Sequence, residues 1–167
     1  GTTSITYTNS NGCQRVVSFT VNALPTITGT LTICAGSTTQ LTGSATAAIS
    51  NAWVSSNTSV ATISNTGLVT GVGAGTTTIT YTNSNGCQIT ASVVVNALPA
   101  ITGTLSVCAG STTQLTGSAT AAASNAWVSS NTIVATIDST GLVSGLSAGT
   151  TSNTYTNSNG CQRVVSF

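Results

Sequence analysis

Residues 76–95 are TTTITYTNSNGCQITASVVV, and the rest of the architecture follows from how this stretch folds. Thr, Ile and Val dominate it, alternating on either side of the NSNG at residues 83–86. β-Branched side chains favour pleated strands, and Asn-Gly favours a tight turn, so the stretch predicts a β-hairpin. No segment of the chain has the apolar spacing of an amphipathic helix.

The hairpin sequence belongs to a repeat of 74 residues. The tripeptide GTT occurs three times at this interval, and NALP occurs twice. Residues 22–93 and 96–167 differ at 16 of 72 aligned positions. The CQRVVSF of residues 13–19 recurs at 161–167 but not in the copy between them, which suggests a superrepeat of two copies. Internal repeats of this length indicate an array of similar structural units.

Each copy predicts a small antiparallel β-sandwich. Seven short strands with turn signals between them fit that architecture. We expect Trp53 and Trp127, which are equivalent, to pack between the sheets as core residues. The predicted strands of the complete copy lie near residues 26–34, 37–44, 51–56, 59–64, 67–71, 76–83 and 87–95.

Three segments are predicted. Residues 1–21 (the N-terminal hairpin) are the last two strands of a preceding copy, residues 22–95 (module 1) are a complete domain, and residues 96–167 (module 2) are a second domain whose last strand is cut short. The short linkers, which carry Pro25 and Pro99, should join the modules semi-rigidly. Because the chain contains no Met, we expect it to be a processed product or a window onto a longer chain.

The scarcity of charge excludes most functional classes. Only Arg15, Arg163 and Asp138 are charged, and charged residues make up 2% of the chain against about 25% in ordinary domains. A single carboxylate without His argues against an enzyme and against a metal or cofactor site. Two arginines make no nucleic-acid patch, and no apolar run approaches the ~18 residues that membrane insertion requires.

Low charge also bears on assembly. A net charge of +1 removes the repulsion that keeps proteins apart. Exposed sheet edges are normally protected by Lys, which this chain lacks. We therefore expect lateral or end-to-end self-association, with a second copy as the partner.

The cysteines are candidates for disulfide bonds. Two per module favour disulfides over metal ligands in an exported chain, and a zinc site is not expected because there is no His and no CxxC. The five candidates are Cys13, Cys34, Cys87, Cys108 and Cys161.

Three disulfide pairings remain open. Intradomain bonds would join Cys34 to Cys87 and Cys108 to Cys161, a cross-domain bond would join Cys34 to Cys161, and intermolecular bonds would join separate chains. One pair per module suits the intradomain bond. However, strand lengths separate Cys34 from Cys87 by roughly 25 Å, whereas a disulfide needs Cα atoms within about 7 Å.

A family resemblance lies in the middle of each copy. Residues 53–63 (WVSSNTSVATI), 66–71 (TGLVTG) and 74–79 (AGTTTI) resemble the bacterial immunoglobulin-like group 2 domain, as do residues 127–137 and 140–151 of the second copy. The resemblance implies tandem immunoglobulin-like (Ig-like) antiparallel β-sandwiches.

The cysteine motifs carry a second resemblance. The CAG at residues 34–36, together with the NGC at residues 85–87, resembles repeats of large Bacteroidota surface proteins. Such proteins are adhesins, stalks or filaments, so the resemblance implies an extracellular, cell-surface location and no catalytic residues.

We therefore expect a structural repeat segment of an extracellular bacterial filament or adhesive stalk, self-associating and stabilised by disulfides. One alternative is an adhesin module that binds a polysaccharide or a receptor, for which surface glycans would be partners. The other is a non-catalytic spacer of a secreted enzyme. Near-identical copies favour the structural function, because recognition modules tend to need distinct loops.

Overall fold

The computed structural model describes residues 1–167 and contains only strands, turns and loops. The predicted all-β fold is confirmed. None of its segments is a helix long and apolar enough to cross a membrane. The eighteen strands are β1 (Thr2–Thr8), β2 (Gln14–Thr20), β3 (Ile27–Thr28), β4 (Thr32–Cys34), β5 (Thr38–Gln40), β6 (Thr42–Gly43), β7 (Trp53–Ser55), β8 (Ala61–Ile63), β9 (Leu68–Gly71), β10 (Gly75–Thr82), β11 (Gln88–Asn96), β12 (Ile101–Gly103), β13 (Thr112–Gly117), β14 (Trp127–Ser129), β15 (Ala135–Ile137), β16 (Leu142–Gly145), β17 (Ser152–Thr156) and β18 (Gln162–Ser166).

Module 1 is a sandwich built on the β10–β11 hairpin. One sheet has the order β4-β11-β10-β7, and strands β5, β9 and β8, with the β3–β6 pair beside them, form the facing layer. Alternate residues of β10 and β11 point into the core, as the period of two predicts. The core consists of Ile33, Leu41, Ala52, Trp53, Val60, Ala61, Val69, Ile79, Tyr81, Val93 and Val95.

Module 2 repeats this plan with a smaller core. Its sheets have the orders β12-β13-β16-β15 and β14-β17-β18. No strand of module 2 corresponds to β4, whose equivalent residues are 106–108. The buried cluster consists of Leu115, Ala126, Trp127, Ala135, Val143 and Tyr155.

Two of the predicted strands of module 1 are each interrupted. The stretch 26–34 is divided at Gly29, whose φ of 129° suits glycine. There the chain crosses between sheets, since β3 pairs with β6 while β4 pairs with β11. The stretch 37–44 is divided at the buried Leu41, whose N–H donates to the Gly67 carbonyl. The β4–β11 pair is also parallel, unlike the other strand pairs, because β4 follows a crossing rather than a hairpin.

The N-terminal hairpin is formed by β1 and β2. Seven residue pairs join the strands, from Thr2 with Thr20 to Thr8 with Gln14. All fourteen strand residues are exposed. The hairpin therefore keeps its backbone pairing without a core of its own.

Candidate functional site: the disulfide at the domain junction

Cys34 lies where the chain passes from module 1 to module 2. It is the last residue of β4 and pairs with Asn96, the last residue of β11. The Asn96 carbonyl also accepts a hydrogen bond of 2.9 Å from the N–H of Ala35. The parallel pairing of β4 with β11 thus fixes the half-buried Cys34 beside the linker.

Cys161 occupies the tight turn between β17 and β18. The Asn157 side-chain oxygen accepts hydrogen bonds from the N–H groups of Asn159 (3.1 Å) and Cys161 (3.0 Å). The N–H of Asn157 donates to the Cys161 carbonyl at 3.0 Å. An Asn side chain that binds its own turn in this way holds the loop in one conformation. Cys161 is consequently rigid and is only 1% exposed.

A disulfide joins Cys34 to Cys161 across the junction between the modules. Their Cα atoms are 5.6 Å apart, and 127 positions separate them in sequence. Of the pairings that the sequence left open, the structure has the cross-domain one. Cys34 and Cys87 are held apart because Cys87 precedes β11 and Cys34 lies beside its last residue, roughly 30 Å away along the strand.

Three cysteines remain as thiols. Cys13 and Cys108 are exposed, and Cys87 is half-buried. By the 74-residue repeat, Cys108 is the equivalent of Cys34, whereas Cys13 and Cys87 are equivalents of Cys161. Each thiol therefore occupies a position that, in another copy of the repeat, forms the junction bond.

Both tryptophans lie in the cores. Trp53 and Trp127 are 7% and 8% exposed. Trp53 packs on Tyr81 with ring centroids 4.5 Å apart, and Trp127 packs on Tyr155 at 4.7 Å. In module 1, the Tyr81 hydroxyl donates to the Ala45 carbonyl at 3.0 Å. The rings are used for packing and do not form a surface on which a ligand could stack.

One buried residue has no partner for its polar atoms. Asn153 on β17 is 0% exposed, and neither its amide nitrogen nor its oxygen has a hydrogen-bond partner. By contrast, the buried Thr151 accepts a hydrogen bond of 3.0 Å from the Asn131 N–H. Sequence analysis missed Asn153. In the alignment of the copies it is equivalent to Ile79, whose side chain points into the core.

Asp138 carries the single side-chain carboxylate of the chain, and this carboxylate accepts hydrogen bonds within the turn before β16. The hydrogen bond from the Thr140 hydroxyl (2.7 Å) lowers the pKa of Asp138 below its ordinary value, and the N–H groups of Leu142 (3.0 Å) and Thr140 (2.8 Å) act in the same direction. In module 1, Ser64 takes its place. No three His, Cys, Asp or Glu residues come together in the structure. The cysteines are therefore the groups through which this chain can form covalent cross-links.

Comparison with known proteins identifies the repeat. The model of the bacterial Ig-like domain (group 2) matches residues 20–94 and 100–165. The chain belongs to this family. The predicted resemblance is confirmed, and the tandem Ig-like fold is confirmed with it.

Solved structures contain similar folds. The C-terminal 282-residue fragment of intimin, in complex with the intimin-binding domain of the translocated intimin receptor, superposes with a TM-score of 0.54 at 15% identity, over 87% of this chain and 64% of that one. An enterohaemorrhagic O157:H7 intimin mutant gives 0.35 at 22% identity, over 44% of this chain and 39% of that one. Domains 4 and 5 of the S-layer protein SbsC give 0.35 at 18% identity, over 96% and 86%. This group 2 chain thus spans less than two thirds of either intimin structure. No curated protein matches it.

Proposed function

We propose that the chain is a structural segment of an extracellular bacterial filament or adhesive stalk, in which Ig-like modules are joined covalently and associate with other copies. The observation that carries the proposal is the Cys34–Cys161 disulfide across the module junction. The bonded residues belong to neither of the two buried core clusters. The bond fixes one module relative to the next, which a filament or stalk requires.

The near-identity of the modules supports a structural function. Their Trp–Tyr ring contacts and the Asn-based turns at residues 83 and 157 are the same. A repeat in a filament or stalk needs a constant shape, and these common contacts preserve the shape of the module. The division into residues 1–21, 22–95 and 96–167 is part of the proposal.

An extracellular location is supported by the disulfide. Disulfides persist outside the cell and are rare in the reducing cytosol. Self-association is supported by the surface, because only three side chains carry charge and all three are exposed. Strand edges covered by Ser and Thr can approach one another without burying a charge.

Electron microscopy of the native material and of the purified chain tests the proposal. We expect ordered filaments or rods with an axial repeat of one or two modules, and loss of that order when dithiothreitol is added. A Cys34→Ser variant should resemble the reduced sample. Separate flexible beads, alike in oxidised and reduced samples, would contradict the proposal and favour a spacer. A glycan or receptor that binds with defined affinity to dispersed modules would favour the adhesin alternative.

A further inference from the structure

The Cys34–Cys161 disulfide gives the chain a covalent path that is much shorter than its backbone. The bond brings two Cα atoms to 5.6 Å, although 127 positions separate the residues in sequence. Fully extended, a backbone of that length would reach roughly 430 Å, at about 3.4 Å per residue. Residues 35–160 (the enclosed loop) cannot be drawn out while the bond is intact, so a pull along the chain is transmitted through the two sulfur atoms.

The strands at the two ends of this short path run in the same direction. β11 runs from the turn at Cys87 to the linker, and β4 is parallel to it, so β4 also points toward the junction. Cys161 is the last residue before β18, which leads away from the junction. The strand β4, the disulfide and β18 thus follow one another in the direction in which successive modules would be stretched.

Tension on this path does not load the hydrogen bonds of either sheet. Because the disulfide holds β4 at Cys34, a pull on the other end of β4 acts along its own backbone and does not slide it past β11. The strand β18 is held in the same way at Cys161 and keeps its five residue pairs with β17. Without the bond, the same pull would draw β4 out of its three pairs with β11 and β18 out of module 2.

The enclosed loop contains nearly all of both cores. All six residues of the module 2 core cluster belong to it, and Ile33 is the only one of the eleven in module 1 that does not. The linker that ends at the buried Pro99 also lies inside the loop. Intradomain disulfides would have left this linker as the only covalent connection between the modules, and it would then carry the pull. The cross-domain bond relieves the linker as well as the cores.

The disulfide and the linker cross the junction as two separate connections. On the side of module 1 they are adjacent, because Cys34 pairs with Asn96. On the side of module 2, the turn before Cys161 is tied to the loop after β13, since the Ser158 N–H donates to the Thr120 carbonyl at 2.8 Å. Two connections restrict rotation of one module about the other, which a single linker would permit.

We propose that the Cys34–Cys161 disulfide is a tension bypass, which carries a pull through β4 and β18 and keeps both modules folded at constant length. The inference rests on the proposed structural function and specifies how such a segment carries force. While the bond is intact, stretching stops once the residues outside the enclosed loop are straight. When the bond is absent, the modules unfold under tension and lengthen the chain.

Stretching of single 167-residue chains tests the bypass. Marker domains of known unfolding length flank the chain, and Cys13→Ser, Cys87→Ser and Cys108→Ser leave Cys34–Cys161 as the sole possible disulfide. We expect this bonded chain to release none of the length of the enclosed loop, even after the marker domains have unfolded. Cys34→Ser in the same background should release roughly 430 Å more than the bonded chain.

Two further variants separate loss of the bond from loss of core stability. Cys161→Ser removes the bond from the side of module 2 and should release the same additional length as Cys34→Ser. Val69→Ala keeps the bond but removes methyl groups from a side chain that is 0% exposed in the module 1 core. It should lower the thermal unfolding temperature and still release none of the enclosed length, because the closed loop and not core stability limits the bonded chain.

The outcomes decide on the bypass and on the proposed function separately. A bonded chain that lengthens as much as Cys34→Ser would overturn the bypass, and so would a Cys34→Ser or Cys161→Ser chain that lengthens no more than the bonded one. If the bonded chain withholds the loop but electron microscopy shows only separate flexible beads, the structural function is wrong and the bypass stands. Ordered filaments from a chain whose bonded form lengthens fully would leave the function standing and remove the bypass.

Discussion

Modules 1 and 2 share most of their sequence but differ in how completely each is closed. Module 1 has eleven residues in its buried core cluster, whereas module 2 has six. One of the differences within the residues that both copies share is at Ile79, which module 1 buries in its core. Module 2 buries Asn153 at the equivalent position, and the amide of that side chain has no hydrogen-bond partner.

This difference shows that one buried position can change from apolar to polar while the fold of the module stays the same. Trp127, Tyr155 and the facing sheet keep their positions in module 2 despite the unpaired Asn153. The sandwich therefore tolerates a buried amide without a hydrogen-bond partner and keeps its fold.

Cys34→Ser should uncouple the two modules. The disulfide encloses a loop of more than a hundred residues, and its loss should lower the free energy of unfolding by about 5 kcal/mol on the chain-entropy model. Urea unfolding measured by Trp fluorescence checks this, with Trp127→Phe or Trp53→Phe leaving one reporter in each module. Cys161→Ser is the matched control and should give the same loss. Unchanged midpoints in both variants would contradict a bond across the junction.

Ile79→Asn should give module 1 the buried, unpaired amide that module 2 has at Asn153. It removes a fully buried apolar side chain and introduces an amide without a partner, at a cost of about 4 kcal/mol. Urea unfolding of the Trp127→Phe chain measures the effect on module 1 alone. Ile79→Val, which keeps the site apolar, should cost only about 1 kcal/mol. Equal losses for the two variants would mean that the amide finds a partner.

Asn153→Ile should make module 2 more like module 1. Removal of the unpaired amide is expected to raise the free energy of unfolding by about 2 kcal/mol. The Trp53→Phe chain reports on module 2. If Asn153→Ile leaves the free energy of unfolding unchanged or lowers it, the unpaired Asn153 amide does not destabilise module 2.

Asp138 should make only module 2 sensitive to acid. Its pKa is lowered in the folded protein, chiefly by the Thr140 hydroxyl. The stabilisation is therefore complete above the unfolded pKa of about 3.9 and is lost as pH falls through the lower, folded value. Thermal unfolding at pH 7 and near pH 2 should show a small decrease for module 2 only. Asp138→Ser, which copies Ser64, should remove that decrease.

Sequence reasoning predicted the hairpin and the sandwich because both depend on local pattern. Alternating β-branched residues and the Asn-Gly turn predicted β10 and β11 to within one residue at each end. The crossing at Gly29 was not predicted, since nothing in the local pattern indicates that β3 and β4 belong to different sheets. Which sheet a strand joins depends on tertiary pairing with distant residues.

Prediction of the disulfide pairing required the same kind of information about distant residues. Strand lengths separated Cys34 from Cys87 and brought Cys34 towards Cys161, and the pairing of β4 with β11 is what fixes Cys34 beside the linker. The unpaired Asn153 could have been found by alignment of the copies. Its burial without a partner follows only from the packed structure.

The enclosed loop also determines what a protease can do to this chain. Cys34 and Cys161 are bonded, so one cut in the backbone between them leaves the two pieces attached. The only targets for a protease specific for basic residues are Arg15 and Arg163, and both lie outside that loop. Tryptic digestion should therefore trim the ends and leave both modules as one covalent body.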